Sequence, residues 1–131
     1  MTLEEKLSLL TGYDGFSALR LPQKGITGVQ MADGPYGVKT KDGSSTCFLN
    51  TCLMASSWDR ETCYEIGKKL GAECRKYGVD VLLAPSINIK RHPYCGRNFE
   101  HHLEDPILTG VLASHYINGI QGEGTSACVK Q

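Results

Sequence analysis

The chemistry of this chain is concentrated at residues 88–106, which read Asn-Ile-Lys-Arg-His-Pro-Tyr-Cys-Gly-Arg-Asn-Phe-Glu-His-His-Leu-Glu-Asp-Pro. Lys90, Arg91 and Arg97 stand there among three histidines, three carboxylates and two aromatic rings. A plain connection needs only turn chemistry, so a loop this rich in charge and rings points to ligand contact. The competing reading is a solvated loop laced with surface ion pairs, which contribute little to stability. Gly96-Arg97 favours the first reading. It sets a planar, five-donor guanidinium beside a residue with no side chain, which suits close approach of a hydroxylated or carboxylated ligand. Asp33, in an Asp-Gly-Pro turn, and Lys130 are the other polar residues placed where chemistry could occur.

Metal chemistry is not expected. None of the six cysteines (Cys47, Cys52, Cys63, Cys74, Cys95, Cys128) forms a Cys-x-x-Cys pair. His101 and His102 are adjacent in a loop and converge poorly on one ion, so they are expected as surface imidazoles. His115 falls in a helical pattern and reads as packing. No cofactor is called for.

Regular elements must position these residues. Thr2-Leu-Glu-Glu5 is a capping box, with Leu3, Leu7 and Leu10 at helical spacing and Gly12 as the stop. The segment to about Gly25 reads as loop. Residues 27–32 are a strand candidate that leaves Asp33 just past its carboxyl end. Residues 38–57, rich in Ser, Thr, Lys and Gly, are assigned no element beyond a short turn. Asp59 then caps a helix whose apolar stripe is Cys63, Ile66, Gly67, Leu70, Cys74 and Tyr77, with Gly78 as its stop. Residues 79–84 form a short apolar run, as expected of a parallel strand covered on both faces. Asp105-Pro106 opens a second helix, striped by Ile107, Leu108, Val111, Leu112, His115 and Tyr116 and ended by Gly119 or Gly122. Residues 126–130, including Cys128, make a final strand.

Composition narrows the partners. Fourteen basic and fourteen acidic residues cancel, so neither nucleic acid nor an anionic membrane is an expected partner. No apolar run approaches the roughly 18 residues of a membrane span. The first residues do not resemble a secretory signal, and all six cysteines are expected as reduced thiols of a cytoplasmic protein.

The alternation of helix and strand implies an α/β fold with a parallel sheet, either doubly wound or part of a (β/α)8 barrel. Gly34, Gly37 and Gly43 lack the spacing of a dinucleotide-binding turn. Asp33, the 90–104 loop and Lys130 each follow one of three strands, and carboxyl-terminal strand ends are where barrels place their sites. The expected fold is therefore a partial (β/α)8 barrel of about three parallel strands, two main crossover helices and a short N-terminal helix.

Seven segments come in an order that resembles glycoside hydrolase family 3, in its β-glucosidase branch. They are Ala-Asp-Gly-Pro-Tyr-Gly-Val (32–38), Thr-Cys-Phe (46–48), Ala-Ser-Ser-Trp-Asp (55–59), Gly-Val-Asp-Val-Leu-Leu-Ala-Pro (78–85), Asn-Ile-Lys-Arg (88–91), Cys-Gly-Arg-Asn-Phe-Glu (95–100) and Glu-Asp-Pro (104–106). By this resemblance Asp33 is the carboxylate that accepts from hydroxyls of the terminal sugar. Arg97 is the guanidinium donor, and Lys130 the Lys of a Lys-His pair holding the same sugar. The resemblance departs at Gln131, which stands in place of that His, at Lys39 in place of a common Arg, and at His101-His102-Leu103. It also implies that the nucleophilic Asp follows a later barrel strand and that the acid/base lies in a second domain. Asp80, Asp59, Asp105, Glu100 and Glu104 fill neither role. Residues 1–131 are thus expected to be the amino-terminal part of a barrel domain of about 250 residues, acting on carbohydrate with the remainder of the barrel and a second domain. The alternative is a non-catalytic remnant that serves as a weak carbohydrate-binding or interaction module.

Overall fold

The computed structural model describes residues 1–130; Gln131 lies outside the described residues. Helices α1 (Leu3–Ser8), α2 (Thr51–Ser56), α3 (Arg60–Lys76) and α4 (Pro106–Gly122) accompany strands β1 (Gly12–Asp14), β2 (Ser17–Ala18), β3 (Met31–Asp33), β4 (Val81–Leu83) and β5 (Ser126–Ala127). β3, β4 and β5 form a parallel sheet in that order. α3 connects β3 to β4 and α4 connects β4 to β5. Ala32 sits opposite Leu82, and Leu82 opposite Ala127.

The three helices expected from the sequence, α1, α3 and α4, start where their caps predict. The Thr2 hydroxyl accepts from Glu5 N–H while the Glu5 carboxylate accepts from Thr2 N–H. The Asp59 carboxylate accepts from Glu61 N–H at 3.0 Å, and the Asp105 carboxylate from Leu108 N–H at 2.8 Å.

The core lies between the sheet and the α3/α4 layer. Ala32 and Leu82, the middle residues of their strands, are buried with Leu70, Cys74, Leu112, Tyr116 and Ile120. Side chains alternate along a strand, so Met31, Asp33, Val81 and Leu83 face the other way, and they are only half-buried. The expectation that the 79–84 run is covered on both faces therefore needs correction: among the described residues only one face carries a layer. The opposite face is where the other strands of a closed barrel would pack.

Other expectations also change. The buried face of α4 is Thr109, Leu112, Ala113, Tyr116, Gly119 and Ile120, while Ile107 is 78% exposed. Of the two glycines expected to end the helix, Gly122 does so and Gly119 does not. A Cβ there would lie 2.2 Å from the Tyr64 carbonyl oxygen, and one on Gly67 would lie 2.1 Å from that of Tyr116. These two glycines let the α3 and α4 backbones touch. Two elements arise in segments read as loop. The β1–β2 hairpin is antiparallel, and α2 is capped by the Asn50 side chain, which accepts from Leu53 N–H. Cys63 and Cys74 are buried as expected, whereas Cys128 is exposed just beyond β5. No described helix is long and apolar enough to cross a membrane.

Candidate functional site

The carboxyl ends of β3, β4 and β5 bring the polar residues together. Asp33 is the last residue of β3. Beyond β5, a parallel bridge between Ser86 and Lys130 extends the ladder, with Lys130 N–H donating to Pro85 O at 3.0 Å. The loop after β4 passes over both and makes a 3-10 turn at Asn98–Glu100.

The Lys130 ammonium donates to Asp33 Oδ1 at 2.5 Å and lies 3.6 Å from Glu100 Oε2. Glu100 in turn accepts from Arg97 Nε and Nη2, both at 2.8 Å. Asp33, Lys130, Glu100 and Arg97 form a continuous chain of alternating charge with no net charge. Burial grades across it: the Glu100 and Lys130 side chains are 8% and 17% exposed, those of Asp33 and Arg97 38% and 46%. The inner pair is shielded, and the outer pair presents one carboxylate and one guanidinium to the open side. Such an array offers charged acceptors and donors to neutral hydroxyl groups, the stronger class of hydrogen bond.

The turn that carries Glu100 is anchored from several directions. The hydroxyl of buried Thr51, the first residue of α2, donates to the Glu100 carbonyl at 2.7 Å. The Ser86 hydroxyl and His101 Nδ1 are 2.8 Å apart. His102 Nδ1 lies 2.9 Å from the Ser86 carbonyl oxygen, which can only accept, so Nδ1 carries the proton. Asn98 Nδ2 donates to His92 O at 2.8 Å. The Tyr36 hydroxyl donates to Phe99 O, and the two rings are 6.4 Å apart. Burial, and then the Glu100 charge, raise the Tyr36 phenol above its ordinary value.

His101 and His102 are 1% and 0% exposed, which corrects their reading as surface imidazoles. Burial holds both below the ordinary imidazole value, reinforced by the Lys90 charge. They brace the loop from inside. The sequence signal was available in part, because two histidines flanked by Glu100 and Leu103 are as compatible with an inward turn as with a solvated one.

All three residues singled out from the sequence sit at this one place. Asp33 and Lys130 touch directly, and Arg97 joins them through Glu100. Glu100 is the residue that sequence reasoning left to the loop scaffold. The Arg97-x-x-Glu100 spacing, three residues apart within one turn, was the signal that could have found it. Asp33 is not an Asx-turn carboxylate, since its side chain goes to Lys130. Arg97 is in an ion pair within its loop, yet remains half-exposed. Among the described residues no cluster of three or more His, Cys, Asp or Glu side chains could hold a metal ion.

Known proteins match this chain over nearly its whole length. The profile of the glycosyl hydrolase family 3 N terminal domain matches residues 17–131. The thermostable beta-glucosidase B of Acetivibrio thermocellus is 41% identical over 141 residues, covering 99% of this chain and 19% of that protein. Beta-glucosidase B of Emericella nidulans is 46% identical over 134 residues, covering 99% of this chain and 16% of its own length. The solved structure of beta-glucosidase 3B from Thermotoga neapolitana in complex with alpha-D-glucose matches with a TM-score of 0.90 at 39% identity, covering 100% of this chain and 22% of that one. The chain thus spans about a fifth of the length of the relatives it matches.

Proposed function

This chain belongs to glycosyl hydrolase family 3, its three strands and their helices being part of a (β/α)8 barrel, and from that premise we propose that it supplies the sugar-holding rim of a retaining β-glucosidase. Residues 1–131 form the amino-terminal portion of the barrel domain in this reading. Asp33 accepts from hydroxyls of a terminal β-linked glucose or similar sugar, and Arg97 and Lys130 donate to them. The observation that supports the reading best is the contact between Asp33 and Lys130, which lie 97 residues apart in sequence. It leaves a charge-neutral array at the carboxyl ends of the barrel strands, where this fold builds its sites.

The catalytic carboxyl pair lies outside these residues. A retaining glycosidase needs a nucleophile and a separate acid/base. Asp33 and Glu100 bracket one ammonium, and Glu100 is further held by Arg97, so both carboxylates are engaged in the charged cluster. Asp59 and Asp105 cap helices, and the Asp80 carboxylate accepts from Gln30 N–H. The 131-residue chain alone is therefore expected to show no turnover of an aryl β-glucoside, and on its own to bind sugar weakly. The free cysteines fit a reducing, cytoplasmic setting.

The test is made in the complete polypeptide that carries this segment. Asp33→Asn should lower kcat/KM for an aryl β-glucoside by about a hundredfold, since it removes charged hydrogen bonds of about 1.5–3 kcal/mol each. Catalytic efficiency within twofold of the unaltered enzyme would remove Asp33 from the sugar site.

A further inference from the structure

Glu100 is the least exposed member of the charged chain, and both of its carboxylate oxygens are occupied. Oε1 accepts from Arg97 Nε, while Oε2 accepts from Arg97 Nη2 and faces the Lys130 ammonium. With a side chain 8% exposed and both oxygens turned to Arg97 and Lys130, it has little access to a sugar. We propose that Glu100 is a positioning residue that sets the Arg97 guanidinium and the Lys130 ammonium for the sugar before it arrives. The inference rests on the sugar-site reading of Asp33, Arg97 and Lys130 given above.

The geometry supports this role in three ways. First, the side-on pairing through Nε and Nη2 fixes the plane of the guanidinium, which a single hydrogen bond would leave free to swing. An arginine side chain otherwise carries several accessible rotamers, and their loss would weigh against each sugar contact. Second, Lys130 lies between two carboxylates. Without Glu100 the ammonium would have Asp33 as its one charged neighbour in the cluster and would neutralise the acceptor meant for the sugar. Sharing Lys130 keeps Asp33 partly available.

Third, Glu100 and Lys130 are held to the same short segment, residues 85–87. The Lys130 backbone donates to Pro85 O at 3.0 Å and accepts from Ile87 N–H at 3.3 Å. His101 and His102, which follow Glu100, bond the Ser86 hydroxyl and carbonyl. Thr51 fixes the Glu100 carbonyl itself. The clamp is therefore referenced to the end of β4 and not to the mobile tip of a side chain. An amide in place of the carboxylate would keep the shape but turn one hydrogen-bonding atom into a donor facing Arg97 or Lys130.

The experiment uses the full chain as its gene encodes it, with D-glucose as the probe. Calorimetric titration of Glu100→Gln, Arg97→Gln and the double variant forms a double-mutant cycle. The expected result is about tenfold weaker glucose binding in each single variant, as for loss of a charge-assisted hydrogen bond, with the double variant no weaker than the worse single one. Glu100→Asp, which keeps the charge, should recover part of the loss. Glucose binding by Glu100→Gln within twofold of the unaltered chain, or fully additive losses, would overturn the proposal. A second readout is hydrogen exchange of the Arg97 Nε–H in the unaltered chain. Exchange much slower than at exposed Arg91 supports the clamp even if Glu100→Gln does not fold, and exchange as fast as Arg91 overturns it. An unaltered chain that ignores glucose while protecting the Arg97 Nε–H would remove the sugar-site reading and leave the clamp standing.

Discussion

The inner faces of the α3/α4 layer and residues 100–102 of the loop over the strand ends are both buried, yet they are held in different ways. In the helical layer, backbones meet through Gly67 and Gly119, and apolar side chains close the space around Tyr116 and Leu70. In the loop, order comes from single polar bonds between residues far apart in sequence: Thr51 to Glu100, Ser86 to His101 and His102, Lys130 to Asp33. Packing of the first kind is redundant, since many weak contacts share the load. Bonding of the second kind is not, because an unpaired buried polar group costs about 1–3 kcal/mol. A site built on the second kind is precise and correspondingly easy to break.

The comparison can be broken first at the helical layer. Gly119→Val places a branched side chain where even a Cβ meets the Tyr64 carbonyl oxygen at 2.2 Å. Backbone cannot yield as a side chain does, so a loss of about 3 kcal/mol or more is expected, at the upper end of overpacking costs. Urea unfolding monitored by circular dichroism would show it as a lower midpoint with an unchanged slope.

Acid should strike the loop before the helices. His101 and His102 are held below the ordinary imidazole value chiefly by burial, with Lys90 adding to it and Glu100 partly opposing it at His101. The unfolded chain takes up these protons near pH 6.5, while the folded chain resists them. Stability is then complete above about pH 6.5 and is lost as pH falls, by at most about 1.4 kcal/mol per pH unit for each histidine. Amide exchange between pH 7 and pH 5 should speed up at residues 98–102 before it does in α3. Uniform acceleration across both regions would contradict the contrast.

Thiol chemistry sharpens the same boundary. Cys47, Cys95 and Cys128 are exposed, whereas burial pushes Cys63 and Cys74 up to about 11 and about 12. At pH 8 the exposed group should react rapidly with an aromatic disulfide reagent, while the buried pair reacts at the rate of unfolding. All six should be free in denaturant. Least affected should be Ile107→Ser. Although it lies in the apolar pattern of α4, Ile107 is 78% exposed, and a change within about 0.5 kcal/mol is expected from the same unfolding curves.

This division also governs what could be read from the sequence. α3 and α4 were legible because caps and spacing are local: Asp59 and Asp105 start the helices, and Cys63, Leu70 and Cys74 repeat on one face. The sheet order followed from the alternation of elements. α2 was not legible, since six residues span too few turns to show a helical period. It persists because Thr51, Met54 and Ala55 are buried and Thr51 reaches Glu100. The hairpin Gly12–Ala18 has the same history, as its strands are too short to show a period. In the site, Asp33, Arg97 and Lys130 could be named from motif and strand-end position. Glu100 was legible only through its three-residue spacing from Arg97, and the bracing role of His101 and His102 was hidden because it depends on Ser86, which no spacing rule connects to them.

The most direct measurement is a crystal structure of the complete polypeptide soaked with glucose. The account predicts sugar hydroxyl oxygens within hydrogen-bonding distance, about 2.6–3.2 Å, of the Asp33 carboxylate, the Arg97 guanidinium and the Lys130 ammonium, with Glu100 still paired behind them. Glucose bound elsewhere, with Asp33, Arg97 and Lys130 making no contact to it, would contradict the central claim.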